Sequence, residues 1–193
     1  MRIFHIHDRF TELPDWPEVM PAQGFLWVTI SRRVFEVRLP EIQQHLAQLD
    51  GGALLDLHVT DLLNAQLPSQ FDYTSWYDVL VFRRLAAGAG TAGKFFGEEQ
   101  GTAATAREAL AAIDTSPVGF ALFDRVLVTV HPTDCAVRDF FAQRLGSLAG
   151  SGDPRGNARL PVHPADLMLR MVNHMVDSYL DLRRLLTRQF TYL

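Results

Sequence analysis

Apolar positions along this chain recur with two periods, and the alternation between them predicts the order of the elements. Met1–His7 alternates and predicts a first strand, with Met1, Ile3, His5 and His7 on one face. Glu12–Gln23 holds Pro14, Pro17 and Pro21 and reads as a loop. The run Gly24–Ile30 has the length and residue types of a buried strand. Helical spacing follows in Pro40–Asp50, where Ile42, Leu46 and Leu49 share a face and Gly51-Gly52 stops the helix. A short helix at Val59–Ala65, with Asp61 on its first turn, ends before Pro68. Gln70–Thr74 and Tyr77–Leu85 predict an antiparallel pair of strands. Pro117–Phe123 and Arg125–His131 predict two more, the last dense in β-branched residues.

The second half closes on helices. Thr133 or Asp134 can cap a helix that carries Val137, Phe140, Phe141, Leu145 and Leu148 inward and ends at Gly150. From Pro164 the period stays helical to the last residue, with Leu167, Met168, Met171, Val172, Met175, Tyr179, Leu182, Leu185 and Leu186 in one stripe. Phe190–Leu193 is still apolar and shows no stop signal, so the helix is expected to continue in a longer parent or to meet a partner. Strands in runs with helices before and after predict an α/β (α+β) fold. Its mixed sheet lies layered between helices, in a domain at 1–163 followed by a C-terminal helix at 164–193.

Composition narrows the classes. Hydrophobic residues are 48% of the 193, enough for a buried core. A formal charge of −4 argues against a general nucleic-acid binder, which needs a basic surface to replace counterions. The single cysteine, Cys135, excludes an internal disulfide and fits a reducing compartment such as the cytoplasm. The N-terminus has no apolar signal core, and no run has the length needed to cross a bilayer.

No catalytic constellation stands out, and the chain does not read as an enzyme. Gly88-Ala-Gly-Thr-Ala-Gly-Lys94 has the spacing of a phosphate-binding loop, but Phe95 stands where a Mg²⁺-holding hydroxyl belongs, and a flexible loop tip is the better reading. His5 and His7, on one strand face, specify a metal only loosely. His131 lies four residues before Cys135, which reads as a half-buried thiol near a helix start. Tyr73, Trp76, Tyr77 and Phe82 read as core and contact residues. The pairs Arg32-Arg33, Arg83-Arg84 and Arg183-Arg184 read as solvated faces or ion-pair partners.

Four segments, in order, resemble the N-terminal cytoplasmic domain of the CorA-like divalent-cation transporters, the group that includes the CorA magnesium channels and the ZntB zinc transporters. They are Gly24-Phe-Leu-Trp-Val28; Val59-Thr-Asp-Leu-Leu-Asn64 through Asp78-Val-Leu-Val-Phe82; Arg125-Val-Leu-Val-Thr-Val-His131; and Asp166-Leu-Met168 with Val176-Asp-Ser-Tyr179. Family members continue into a stalk helix and two membrane helices with a Gly-Met-Asn signature, none of which is in this sequence. The resemblance implies a regulatory, metal-sensing portion of a transporter. Its parent would be a pentamer at the cytoplasmic face of the cell membrane, and this chain would touch the membrane only through the missing segments.

The resemblance also implies the metal-binding residues. Asp61 matches a family acidic position where Mg²⁺, Co²⁺, Ni²⁺ or Zn²⁺ can bridge neighbouring subunits, its partner carboxylate lying on the stalk. By its residue type alone, Asp61 is equally a solvated carboxylate favoured by a helix N-terminus. Asp177 is the second family position. Asn173 stands one turn earlier, where some members have an acid, so Asp177 is equally an ion-pair partner of Arg170 or Arg184. A stand-alone binding module with this fold, without transport, is the first alternative, and a nucleotide-binding protein using Gly88–Lys94 is the second.

Overall fold

A computed structural model describes residues 1–86, 114–133, 135–150 and 159–191. Gly88–Lys94 and the small helix expected at Thr105–Ile113 lie outside the described residues, as does Asp134. The described chain runs β1 (Arg2–Ile6), β2 (Phe10–Leu13), β3 (Phe25–Ser31), α1 (Arg32–Val37), α2 (Leu39–Asp50), α3 (Asp56–Leu63), β4 (Gln70–Tyr73), β5 (Tyr77–Ala86), β6 (Asp114–Phe123) and β7 (Val126–His131). It closes with α4 (Ala136–Gly150) and α5 (Pro164–Thr191).

The strands form one mixed sheet in the order β2-β1-β3-β7-β6-β5-β4. β3 and β7 pair in parallel, with Val28 opposite Val128, and every other neighbouring pair is antiparallel. Alternation along each strand sends its residues to two cores. One core takes Leu26, Val28, Ile30, Val126, Val128 and Val130 from the sheet, with Phe35, Ile42, Leu46, Val59 and Leu62 from α1–α3. The other takes Phe25, Trp27, Phe120 and Leu127, with Phe141 and Leu145 from α4 and Leu167, Met171 and Met175 from α5. The sheet therefore stands between two helical layers. Trp27 and Phe35 are fully enclosed, one in each core. Full burial of a large apolar side chain contributes about 1.5–3 kcal/mol, so each layer is held firmly to its face.

The elements differ from the sequence pattern in a few places. Residues 10–13, partly read as loop, form the edge strand β2, in which Phe10 and Leu13 are only half-buried and Thr11 and Glu12 are exposed. α1 is six residues long and buries only Phe35, too little to make a stripe. β5 and β6 extend to Ala86 and from Asp114, so this hairpin is longer than the apolar runs that announce it. Gly51 ends α2 in the left-handed region at φ 77°. Arg125 then fixes the start of β7. Its guanidinium donates to Gly24 O at 2.8 Å and to Pro21 O, and its N–H donates to Asp50 Oδ2 at 3.0 Å.

Candidate functional site

Asp61 and its surroundings lie where α3 meets the edge strand β4. α3 starts earlier than the spacing suggests. Asp56 occupies its first turn, and Leu55, which has no capping side chain, precedes it. The missing cap comes from elsewhere: the Tyr77 hydroxyl accepts the Leu55 N–H at 2.8 Å. The Asn64 N–H returns to Thr60 O and Asp61 O and closes the helix. Asp61 is thus in the last turn, not the first, and the helix N-terminal field acts on Asp56 instead. Beyond the helix, Arg83 donates to Ala65 O at 3.2 Å and Leu67 O at 3.0 Å, which ties the connection to β5. Thr74 receives the N–H of Trp76 and of Tyr77 on its hydroxyl and turns β4 into β5.

Two polar cross-links join helix to strand. His58 and Asp61 are one turn apart on α3, and Gln70 and Asp72 are two apart on β4, so each pair shares a face. His58 Nε2 donates to Asp72 Oδ2 at 2.9 Å, and Gln70 Nε2 donates to Asp61 Oδ2 at 3.1 Å. The other His58 nitrogen, Nδ1, meets the Tyr77 hydroxyl at 2.7 Å. With the Nε2 proton committed to the Asp72 carboxylate, Nδ1 is the accepting nitrogen of the ring, and the Tyr77 hydroxyl donates to it while accepting from Leu55. Tyr77, His58 and Asp72 therefore form a continuous chain from the core to the surface, with His58 only 2% exposed. The His58 hydrogen bond, helped by the Tyr73 N–H, holds the Asp72 carboxyl below its ordinary value. Asp61 is half-buried, and its Oδ1 has no hydrogen-bond partner among the described residues.

Asp177 lies elsewhere. It is exposed on α5, in the helical layer on the opposite side of the sheet from α3. The structure therefore does not bring Asp61 and Asp177 together within one chain. Arg170, an expected partner of Asp177, instead holds Asp166 one turn before it, at 2.9 Å. Asn173 is exposed beside Asp177 on the helix surface. Among the described residues no group of three or more His, Cys, Asp or Glu could hold a metal ion.

The remaining chemistry-bearing side chains are dispersed. His5 bonds Gln23 O at 2.8 Å from a strand inside the sheet, while His7 lies past the strand's end beside Asp8. His45 stacks on Trp16 and His174 on Phe140. His131 is buried between the sheet and α4–α5, and Cys135 is buried directly before α4. Tyr77 is core, as expected, but Phe71, Tyr73 and Trp76 are exposed. Tyr179, in the last resemblance segment, reaches Arg83 O with its hydroxyl at 2.5 Å and anchors α5 to β5. Among the described residues no helix is long and apolar enough to cross a membrane. Sequence spacing alone left Gln70 and Asp72 unnoticed. The signal was there, as two polar pairs whose spacings match helix and strand periods.

No protein-family model matches the sequence, and no curated protein does. Solved structures do match over nearly the whole chain. The full-length CmaX protein is 13% identical with a TM-score of 0.63, covering 94% of this chain and 46% of that one. The ZntB cytoplasmic domain from Vibrio parahaemolyticus RIMD 2210633 is 16% identical with a TM-score of 0.54, covering 94% and 60%. The complete CorA magnesium transporter from Methanocaldococcus jannaschii is 9% identical with a TM-score of 0.59, covering 94% and 45%. The chain thus spans about half the length of the structures it resembles. At these identities what is shared is the fold, that of the CorA-like cytoplasmic domains, as the four sequence segments led us to expect.

Proposed function

We propose that this chain is the metal-responsive portion of a CorA-like divalent-cation transporter, and that Asp61 supplies one half of an ion site completed by a neighbouring copy. The observation that carries the reading is the fold match over 94% of the chain to CmaX, ZntB and CorA. The chemistry at Asp61 fits it. Mg²⁺ takes oxygen ligands and keeps most of its waters, so one carboxylate with a free oxygen is a suitable half-site. Both nitrogens of His58, the nearest imidazole on α3, are already engaged, so the donors on offer are oxygens. Such a set suits Mg²⁺, with Co²⁺ and Ni²⁺ as substitutes, better than Zn²⁺, which favours imidazole and thiolate. Asp177, with the Asn173 amide one turn before it, is the weaker second site.

An ion held between copies stabilises the assembled state, because a ligand shifts the population toward the form that binds it better. The assembly is a pentamer in the parent, which reaches the membrane through segments outside this sequence. With few protein carboxylates the affinity is on the order of millimolar. Native mass spectrometry and sedimentation velocity, with and without Mg²⁺ at matched ionic strength, test this. A Mg²⁺-dependent rise in oligomer that Asp61→Asn abolishes is the expected result. A strict monomer that ignores Mg²⁺ refutes it.

A further inference from the structure

We infer that Gln70 is the positioning residue for a divalent cation at Asp61; this rests on the reading just given. The Gln70 amide donates to Asp61 Oδ2 at 3.1 Å and leaves Oδ1 without a partner among the described residues. One carboxylate oxygen is thereby fixed and the other presented. A carboxylate on a helix surface otherwise rotates freely about its last bond and offers an ion no settled direction. Gln70 itself is well placed for this task. It stands on the edge strand two residues before Asp72, which His58 holds at 2.9 Å from one turn before Asp61. His58 in turn is locked by Tyr77, so α3 is held at a set distance from β4.

The residue type matters as much as the position. An arginine or lysine at position 70 would bond the carboxylate more strongly but would cancel its charge and repel the incoming ion. A neutral amide orients the carboxylate and leaves its charge intact. Partners of this kind behind a metal-binding carboxylate are worth about 10- to 100-fold in affinity.

The test uses the full chain with Mn²⁺ as a paramagnetic probe of the same oxygen-seeking class, its binding followed by electron paramagnetic resonance at constant ionic strength. Asp61→Asn is the reference and is expected to abolish binding. Gln70→Met keeps the length of the side chain and removes the donor. It should weaken Mn²⁺ binding about tenfold while the metal-free melting temperature stays near wild type. Mn²⁺ affinity unchanged in Gln70→Met, with Asp61→Asn inactive, overturns the role of Gln70 alone. Mn²⁺ binding that survives Asp61→Asn overturns both this role and the ion site.

Discussion

Acid should unfold this protein earlier than its exposed groups require, and His131 is the reason. His131 ends β7 and is only 1% exposed. Its Nδ1 donates to Pro132 O at 2.7 Å, since a carbonyl only accepts, and its Nε2 accepts the Thr29 hydroxyl at 2.9 Å. Burial opposes protonation most, and the nearby Arg138, N-terminal amine and Arg32 add to it. Together they bring its pKa from 6.5 down to about 4, although the Pro132 carbonyl acts in the opposite sense. Between those two values the unfolded chain takes up a proton that the folded chain refuses. Stability therefore falls as pH drops from 6.5 toward 4. At about 1.4 kcal/mol per pH unit the loss is about 2 kcal/mol at pH 5 and about 3 kcal/mol in full. Urea unfolding followed by tryptophan fluorescence at several pH values measures it. His131→Gln can keep a donor to Pro132 and an acceptor for Thr29, but it cannot titrate. The variant should lose that much less stability over the window. The lowered N-terminal amine is common to both chains and cancels in the difference. Parallel losses in the two chains would refute the argument.

What the sequence discloses and what it hides follow from period and range. β3, β7 and α5 were legible because each buries a continuous run or stripe: β7 is buried at all six positions, and Leu167, Met171 and Met175 keep their helical spacing in the core. β2 and α1 were not, because an edge strand with two half-buried residues and a helix with one buried residue leave no period to read. The start of α3 was misplaced for a different reason. Its cap is the Tyr77 hydroxyl, 22 residues away from Leu55, and no local pattern reports a partner at that range. The same distance hid the tie between α3 and β4. Asp61 was visible as a lone acid, but its bond to Gln70 depends on the register of an edge strand that only the sheet fixes.

Two further substitutions probe that architecture. Tyr77→Phe removes a hydroxyl that serves both Leu55 N–H and His58 Nδ1, and leaving the buried imidazole nitrogen unpaired costs about 1–3 kcal/mol; chemical denaturation should show the loss, and no loss would mean that the network does not hold α3. Gly119→Ala tests how tightly α3 sits on the sheet. Gly119 lies on β6 between Val81 of β5 and Val130 of β7, and a β-carbon there would come within 2.4 Å of Leu62 Cδ2. Leu62 is 2% exposed and hence has little room to retreat, so the added methyl should cost about 1–3 kcal/mol by overpacking. Leu62→Ala alone should cost about 2–5 kcal/mol by opening a cavity. The informative variant is the double one, since the alanine at 62 removes the atoms that the alanine at 119 would strike. Its total should fall short of the two single costs combined by more than about 0.5 kcal/mol, the signature of residues in contact. Simple additivity would mean that α3 slides away from Gly119 without penalty, and that the position of Asp61 beside β4 is not set by the packing described above.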